Sequence, residues 1–155
     1  MISPQGGGAY LLVIEIIRPA VIRVGALGEI AFPAGWYVYV GSAMRGLEQR
    51  IRRHLSRRKK LRWHIDYITV SALRQAVPTA PIRAVPFPSS RRVECDLARA
   101  VLGLADGRIA GFGCSDCACS SHLFAFQRDP LLDAALWDGL RRRFTETADP
   151  TVVLP

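Results

Sequence analysis

A continuous apolar run near the start of the chain, from Ala9 to Ile17, constrains the fold more than any other segment. The run is rich in β-branched residues and is interrupted by a single charge, Glu15. A strand with one face in water alternates apolar and polar residues, whereas a short run without alternation is typical of a strand buried on both faces. We therefore predict a buried central strand here.

Other strands are shorter and are separated by turn residues. Arg18-Pro19 ends the first run, and the next strand is expected to pair with it as a hairpin. Two prolines, Pro78 and Pro81, interrupt the segment 73–85 and indicate an edge strand or an extended segment. The predicted short strands cover residues 21–24, 29–32, 36–40 and 122–127, and the segment 63–70 is compatible with a strand or a short helix.

Three helices complete the predicted fold. Leu47, Ile51 and Leu55 recur every fourth residue and predict a helix from about Gly46 to Arg58. The others are predicted from Ser89-Ser90 to about Leu104 and over residues 130–144, with a loop rich in Gly, Cys and Ser at 107–121. The pattern indicates an α+β protein whose small, mixed or antiparallel central sheet is flanked by helices, with a single domain at 1–145 and a tail at 146–155.

The positive charge is concentrated in one short stretch. The chain carries a formal net charge of +8, and nine basic residues stand between Arg45 and Arg62 with a single acid, Glu48. A local excess of this kind favours a polyanionic partner, whereas a basic run that only faces solvent is the ordinary alternative.

Neither a signal peptide nor a membrane anchor is predicted. The apolar run at 9–17 is too short to span a bilayer, and no charged leader precedes it. We therefore expect a cytoplasmic protein without a membrane partner. In that compartment the four cysteines are expected to be reduced, to bind metal or to react, rather than to form structural disulfides.

The order of several motifs resembles a known family. Gly8-Ala9-Tyr10 opens the first strand, Tyr39-Val40-Gly41 closes a later one, and a helix carrying Arg50 follows. Together they resemble the GIY-YIG nuclease superfamily. The resemblance is closer to one branch, DUF123, and covers most of residues 8–126. The stretches that carry it are Phe32 to Ala43 (FPAGWYVYVGSA), Trp63 to Tyr67 (WHIDY), Glu94-Cys95, Gly111 to Cys117 (GFGCSDC) and Ser121 to Phe124 (SHLF).

This resemblance implies a GIY-YIG endonuclease-like fold and metal-dependent hydrolysis of nucleic-acid phosphodiester bonds. In the superfamily a helical Arg follows the second triplet and a Glu on a later helix holds a divalent metal, and Arg50 and Glu94 match these positions. Mg²⁺ or Mn²⁺ on Glu94 would act as Lewis acid, and Arg50 would clamp phosphate oxygens. The predicted catalytic residues are Tyr10, Tyr39, Arg50, His54 and Glu94.

The two tyrosines have a chemical difficulty as bases. A phenol with an ordinary pKa near 10 accepts protons poorly at pH 7, so either tyrosine needs a nearby cation to lower its pKa. His54 lies one helical turn from Arg50 and is the natural proton relay. The ordinary structural alternatives are a packed strand aromatic for Tyr39 and a favourable charge at a helix N-terminus for Glu94.

The expected substrate is a nucleic acid, with DNA favoured over RNA, and protein partners cannot be predicted. Further residues are predicted to hold this substrate. They are Gly41, Arg53, Arg57, Arg58, Lys59, Lys60 and His64. Structural alternatives are turn formation for Gly41 and packing beside Trp63 for His64. A non-catalytic nucleic-acid-binding module of the same fold is the rival function.

A second cluster combines three cysteines with a histidine. Cys114, Cys117, Cys119 and His122 offer zinc's preferred ligands, and C-x2-C is a recognised zinc knuckle. Four ligands within nine residues are nevertheless tightly spaced, because structural zinc usually takes ligands from two separated elements. The favoured interpretation is that the cysteines are reduced and lie in a loop near the active site. A redox role is a further interpretation, beside this one and zinc binding. A zinc-stabilised protein-interaction domain remains an alternative function.

Overall fold

The predicted central strand lies inside an antiparallel sheet. The computed structural model describes residues 5–145. Its strands are β1 (Gly8–Ile16), β2 (Ala20–Arg23), β3 (Glu29–Phe32), β4 (Gly35–Ala43), β5 (Arg83–Pro88), β6 (Gly107–Arg108) and β7 (Leu123–Phe126). Its α-helices are α1 (Leu47–His54), α2 (His64–Leu73), α3 (Glu94–Leu102) and α4 (Ala134–Phe144), and short 3₁₀ turns cover Gly25–Leu27 and Pro130–Leu132.

The described strands form two sheets. Five of them lie in the order β5-β1-β4-β7-β6, and β2 and β3 form a separate two-stranded sheet. Every pairing among the described strands is antiparallel. The α+β class with an antiparallel central sheet is therefore confirmed.

Both faces of the five-stranded sheet are covered, which explains why the run of β1 is apolar at nearly every position. Tyr10, Leu12 and Ile14 point to the face packed against α1, α2 and the β2–β3 hairpin. Ala9, Leu11 and Val13 point to the face packed against α3 and α4. Since successive strand residues alternate between faces, a strand between two cores needs apolar residues at every position.

Several element boundaries differ from the prediction for identifiable reasons. The expected hairpin between β1 and β2 is wrong, because β2 pairs with β3 and β1 lies between β4 and β5. The ambiguous segment at 63–70 is helical and forms α2. The edge strand is confirmed but shifted, with Pro86 and Pro88 in β5 at the sheet edge.

Helix α1 ends at His54, four residues earlier than predicted. Lys59 folds back, and its Nζ donates hydrogen bonds to the carbonyl oxygens of Arg53 (3.3 Å) and His54 (2.6 Å). The His54 carbonyl thereby gains a partner at the helix end, and the Arg53 carbonyl also accepts the backbone N–H of Ser56 at 3.1 Å. The predicted tail at 146–155 lies outside the described residues. Within residues 5–145, the helices are all too short or too polar to cross a bilayer.

Candidate active site

Tyr10 and His54 form the centre of the candidate site. The hydroxyl of Tyr10 lies 2.6 Å from Nε2 of His54, the last residue of α1, and both side chains are buried. The ring of Tyr39 on β4 has its centroid 6.3 Å from each of the other two rings. These ring contacts involve three of the five predicted catalytic residues.

Gly41 makes this arrangement possible. It lies directly opposite Tyr10 in the pairing of β1 with β4. A Cβ at position 41 would overlap the phenol of Tyr10 and lie 2.9 Å from its Cε2 atom. Gly41 was predicted to bind substrate, and the role that the structure assigns to it is to leave room for the Tyr10 ring.

Replacing Gly41 with alanine is expected to displace Tyr10 and to destabilise the fold by about 1–3 kcal/mol, because the added methyl overpacks the site. Urea denaturation measures this loss. Gly139→Ala is the matched control, since a methyl there meets nothing within 4 Å. Because Gly139 lies inside α4, that control is expected to gain about 0.5–1 kcal/mol. Equal stability of the two variants would contradict the assigned role of Gly41.

Burial sets the protonation states of these rings. It raises the pKa of Tyr10 above its ordinary value despite the opposing charge of Arg50, and it also raises the pKa of Tyr39 well above its ordinary value. The condition for direct base catalysis by Tyr10, a pKa lowered by a nearby cation, is therefore not met by Arg50. Burial lowers the pKa of His54, so its imidazole is neutral near pH 7. His54 is the better proton acceptor of the pair.

Asp66 supports the other side of the His54 ring. Its carboxylate is fully buried in the first turn of α2, with Oδ1 lying 3.7 Å from Nδ1 of His54. Arg53 donates to both carboxylate oxygens at 2.9 Å, and the backbone N–H groups of Arg62 and Trp63 donate to Oδ2. Burial alone would raise the pKa of Asp66, but these partners hold it well below its ordinary value.

Trp63 carries two guanidinium groups on its ring. The Cζ atoms of Arg50 and Arg53 lie 4.5 and 4.4 Å from the ring centroid. Arg50 also donates from Nη1 to the carbonyl oxygen of Ser42 at 3.2 Å. Stacking and this hydrogen bond hold the Arg50 side chain, which stays partly exposed.

Glu94 reaches the same region from the opposite face of the sheet. It is the first residue of α3, and its Oε2 accepts a hydrogen bond from the Ser42 hydroxyl. Its Oε1 lies 3.2 Å from Nδ1 of His122, and 32% of the side chain is exposed. Ser42 therefore links Arg50, through its carbonyl, to Glu94, through its hydroxyl. Burial raises the pKa of Glu94, but His122, Ser42 and Arg50 outweigh that effect and lower it.

The predicted basic substrate-binding residues separate into two groups. Lys59 is partly buried, donates to the hydroxyl of Thr69 at 2.8 Å and caps α1, so its ammonium is already engaged. Arg53 is likewise engaged by Asp66. In contrast, Arg57, Arg58 and Lys60 are exposed just beyond α1. These three form the exposed basic segment of the site.

His64 anchors a loop. Its Nδ1 accepts a hydrogen bond of 2.9 Å from the backbone N–H of Gly113, and its ring packs edge-on against Phe112. Both contacts tie the cysteine-containing loop to α2. This arrangement favours the packing alternative for His64 over substrate binding.

The cysteine cluster differs from the predicted set in one member. Cys95, Cys117, Cys119 and His122 place their ligand atoms within 4.8 Å of one another and could hold a metal ion. Cys114 lies outside this group, and its Sγ donates to the carbonyl oxygen of Phe112 at 3.3 Å. The fourth group comes instead from Cys95 on α3, because the loop folds onto the start of that helix. All four cysteines of the chain are free thiols.

Three supporting residues were not predicted as site residues: Ser42, Trp63 and Asp66. Each lies inside a stretch through which the chain resembles DUF123. The available signals were a serine directly after a motif glycine and a Trp-His-x-Asp sequence between a basic run and an apolar segment. Neither sequence pattern indicates which residue Ser42, Trp63 or Asp66 would contact. Their contacts at the site are made with residues distant in sequence or in a neighbouring turn, and such contacts depend on the tertiary fold.

The chain matches a known protein family over most of its length. The model of a family described as a domain of unknown function, DUF123, matches residues 9–142. No curated protein and no solved structure matches the chain. The match extends from the first residue after Gly8 to the end region of α4 and includes every site residue described above. The chain therefore belongs to the DUF123 family.

Proposed function

We propose that the protein is a metal-dependent nuclease of GIY-YIG type that hydrolyses phosphodiester bonds in nucleic acid. One observation carries the proposal: a buried tyrosine–histidine pair lies in the same electrostatic cluster as a held arginine and a partly exposed carboxylate. Arg50 and Glu94 both act on the pKa of Tyr10, and Ser42 contacts both of them. Hydrolysis needs a proton acceptor, a cation for the phosphate and help for the leaving oxygen.

The Tyr10–His54 pair supplies the proton acceptor. With Nε2 of His54 accepting from the phenol, the imidazole proton lies on Nδ1 and faces Asp66. An attacking water gives its proton to the Tyr10 oxygen as the phenolic proton passes to Nε2. The resulting imidazolium is stabilised by the Asp66 carboxylate, and no phenolate forms. This relay removes the need for a lowered tyrosine pKa.

Arg50 is the candidate phosphate ligand. Its guanidinium is held by Trp63 and by the Ser42 carbonyl, so binding phosphate costs little additional side-chain entropy. A planar guanidinium suits the non-bridging oxygens of a phosphodiester in a bidentate geometry. Tyr39 packs on the Tyr10–His54 pair and holds both rings in place.

Glu94 fits a hard divalent cation. Each of its carboxylate oxygens makes one contact within the protein, which leaves further lone pairs on a side chain that is one-third exposed. Mg²⁺ commonly uses one or two carboxylates and keeps several waters, and Mn²⁺ accepts the same oxygen ligands. Such a cation, when bound, supplies Lewis-acid stabilisation of charge on the phosphate. Glu94 is the residue that would hold it.

The substrate is proposed to approach along the exposed basic segment. Arg57, Arg58 and Lys60 follow the helix that carries Arg50 and His54, so backbone phosphates bound there would flank the site. DNA is the proposed polymer, and a cytoplasmic location agrees with four free thiols.

Incubation of the protein with labelled single-stranded, duplex and branched DNA, in Mg²⁺ or Mn²⁺ and in chelator, tests this function. Cleavage that requires the metal is expected. Salt-sensitive binding of every substrate without product, under all metal conditions, would contradict the nuclease and establish the non-catalytic binding module instead.

A further inference from the structure

The group formed by Cys95, Cys117, Cys119 and His122 is built from two separated elements. Cys95 lies in the first turn of α3, while the other three residues belong to the loop before β7. Their ligand atoms lie within 4.8 Å of one another, and Sγ of Cys117 is 3.3 Å from Nε2 of His122. Zinc bonds of about 2.0–2.3 Å in a tetrahedron place neighbouring ligand atoms roughly 3.3–3.8 Å apart. The group needs only small side-chain adjustments to reach that geometry.

We propose that these four residues bind one structural Zn²⁺. Thiolate and imidazole ligands select zinc over the hard cations Mg²⁺ and Mn²⁺, which prefer oxygen. Four protein ligands leave no open position, so the metal holds the loop onto α3 and takes no part in hydrolysis. The inference is independent of the proposed nuclease function.

The surroundings of His122 are those of a metal-bound histidine. Its Nδ1 lies 3.1 Å from the carbonyl oxygen of Val40 and 3.2 Å from Oε1 of Glu94, so it donates its proton on that side. Nε2 is then the ring nitrogen that faces the thiols, 3.3 Å from Sγ of Cys117. Metal-ligating histidines commonly donate their other ring N–H to a carbonyl or carboxylate in this way.

This arrangement connects the zinc site to the candidate active site. Zinc fixes the His122 ring, and that ring holds Glu94 through Oε1. Cys95 also neighbours Glu94 in sequence, so the metal restrains the start of α3 from two directions. Loss of zinc is therefore expected to loosen the carboxylate as well as the loop.

The zinc content of the full chain, purified without metal-affinity steps, tests the proposal by elemental analysis. One zinc per chain is expected, with a lower melting temperature after a strong chelator. Cys95→Ser is expected to lose stoichiometric zinc, and Cys114→Ser, the matched control from the same loop, is expected to keep it. Stoichiometric iron, no bound metal, or zinc that depends on Cys114 and not on Cys95 would overturn the proposal.

A second measurement uses only the wild-type protein, so it can be made even if the Cys95→Ser protein fails to fold. Alkylation of the native wild-type protein, followed by mass spectrometry, reports which thiols are protected. Zinc is expected to protect Cys95, Cys117 and Cys119, and chelator is expected to restore their alkylation while changing that of Cys114 little. Labelling of these three thiols that is the same with zinc and with chelator, or a Cys117–Cys119 disulfide in the protein as isolated, would overturn the assignment.

Discussion

Tyr10→Phe and His54→Gln are each expected to lower kcat for phosphodiester cleavage by about 10²–10⁴-fold, since general acid–base catalysis typically contributes that much. The phenol and the imidazole lie 2.6 Å apart and act as one relay. Groups that act as a unit are strongly non-additive, so the double variant is expected to be no slower than the slower single variant. Single-turnover cleavage at saturating protein measures all three rates.

Tyr37→Phe is the matched control for the loss of a buried hydroxyl. Its hydroxyl donates to the carbonyl oxygen of Pro33 at 2.6 Å, away from the site, so the cleavage rate is expected to stay at the wild-type value. Fully additive losses in the double variant, or a Tyr10→Phe protein that is as active as Tyr37→Phe, would contradict the relay.

The same relay has a pH signature. Burial places the pKa of His54 below its ordinary value of 6.5, and Asp66, Lys59 and Arg53 are the charged groups around it. The imidazole is therefore in its basic form at pH 6.5 and is protonated only at lower pH. In a plot of cleavage rate against pH, the loss of activity on the acid side is expected to have its midpoint below pH 6.5. A midpoint above that value would exclude His54 as the proton acceptor.

Asp66→Asn is expected to give a large loss of stability, about 3–5 kcal/mol, because removing one charge of a buried ion pair leaves the other unpaired. Asp66 is fully buried and satisfies Arg53 together with two backbone N–H groups. Urea denaturation measures the loss. Asp96→Asn is the control, since its pair with Arg99 is exposed and is expected to contribute less than about 1 kcal/mol.

The stability difference between the wild-type and Asp66→Asn proteins is expected to depend on pH, because the pKa of Asp66 is lowered in the folded state. A carboxyl whose folded pKa is depressed stabilises the fold above its ordinary pKa of 3.8, and that contribution is lost as pH falls toward the folded value. Wild-type stability is expected to decline below about pH 4, and the Asp66→Asn protein is expected to decline less. Equal decline in both proteins would show that Asp66 is not the responsible group.

The elements that could be predicted from sequence are those encoded by local patterns. The apolar run of β1, with Glu15 as its single charge, indicated a strand between two cores, and that strand lies inside the sheet, between β5 and β4. Arg50 and His54 were predicted to share a helix face because they are four residues apart, and both reach the Tyr10 region. Local spacing carries this information because helix and strand periods are fixed by the backbone.

The contacts that could not be predicted are those made between distant segments. A run of basic residues does not distinguish Lys59, which caps α1, from Lys60, which is exposed. Cys95 belongs to the group that could hold a metal only because α3 packs beside a loop some 20 residues farther along the chain. The sequence prediction included Cys114 because it lies close to Cys117 and Cys119 along the chain. The positions of metal ligands depend instead on how distant segments pack together.

Cleavage of one labelled DNA substrate in Mg²⁺ by wild type, Glu94→Gln and Asp96→Asn tests the central claim most directly. Glu94 contacts both Ser42 and His122, while Asp96, two residues along the same helix, is exposed. Wild type and Asp96→Asn are expected to give the same metal-dependent product, and Glu94→Gln is expected to bind the DNA without cleaving it. Equal cleavage by Glu94→Gln, or absence of product with the wild-type protein, would contradict a hydrolytic site built around Glu94.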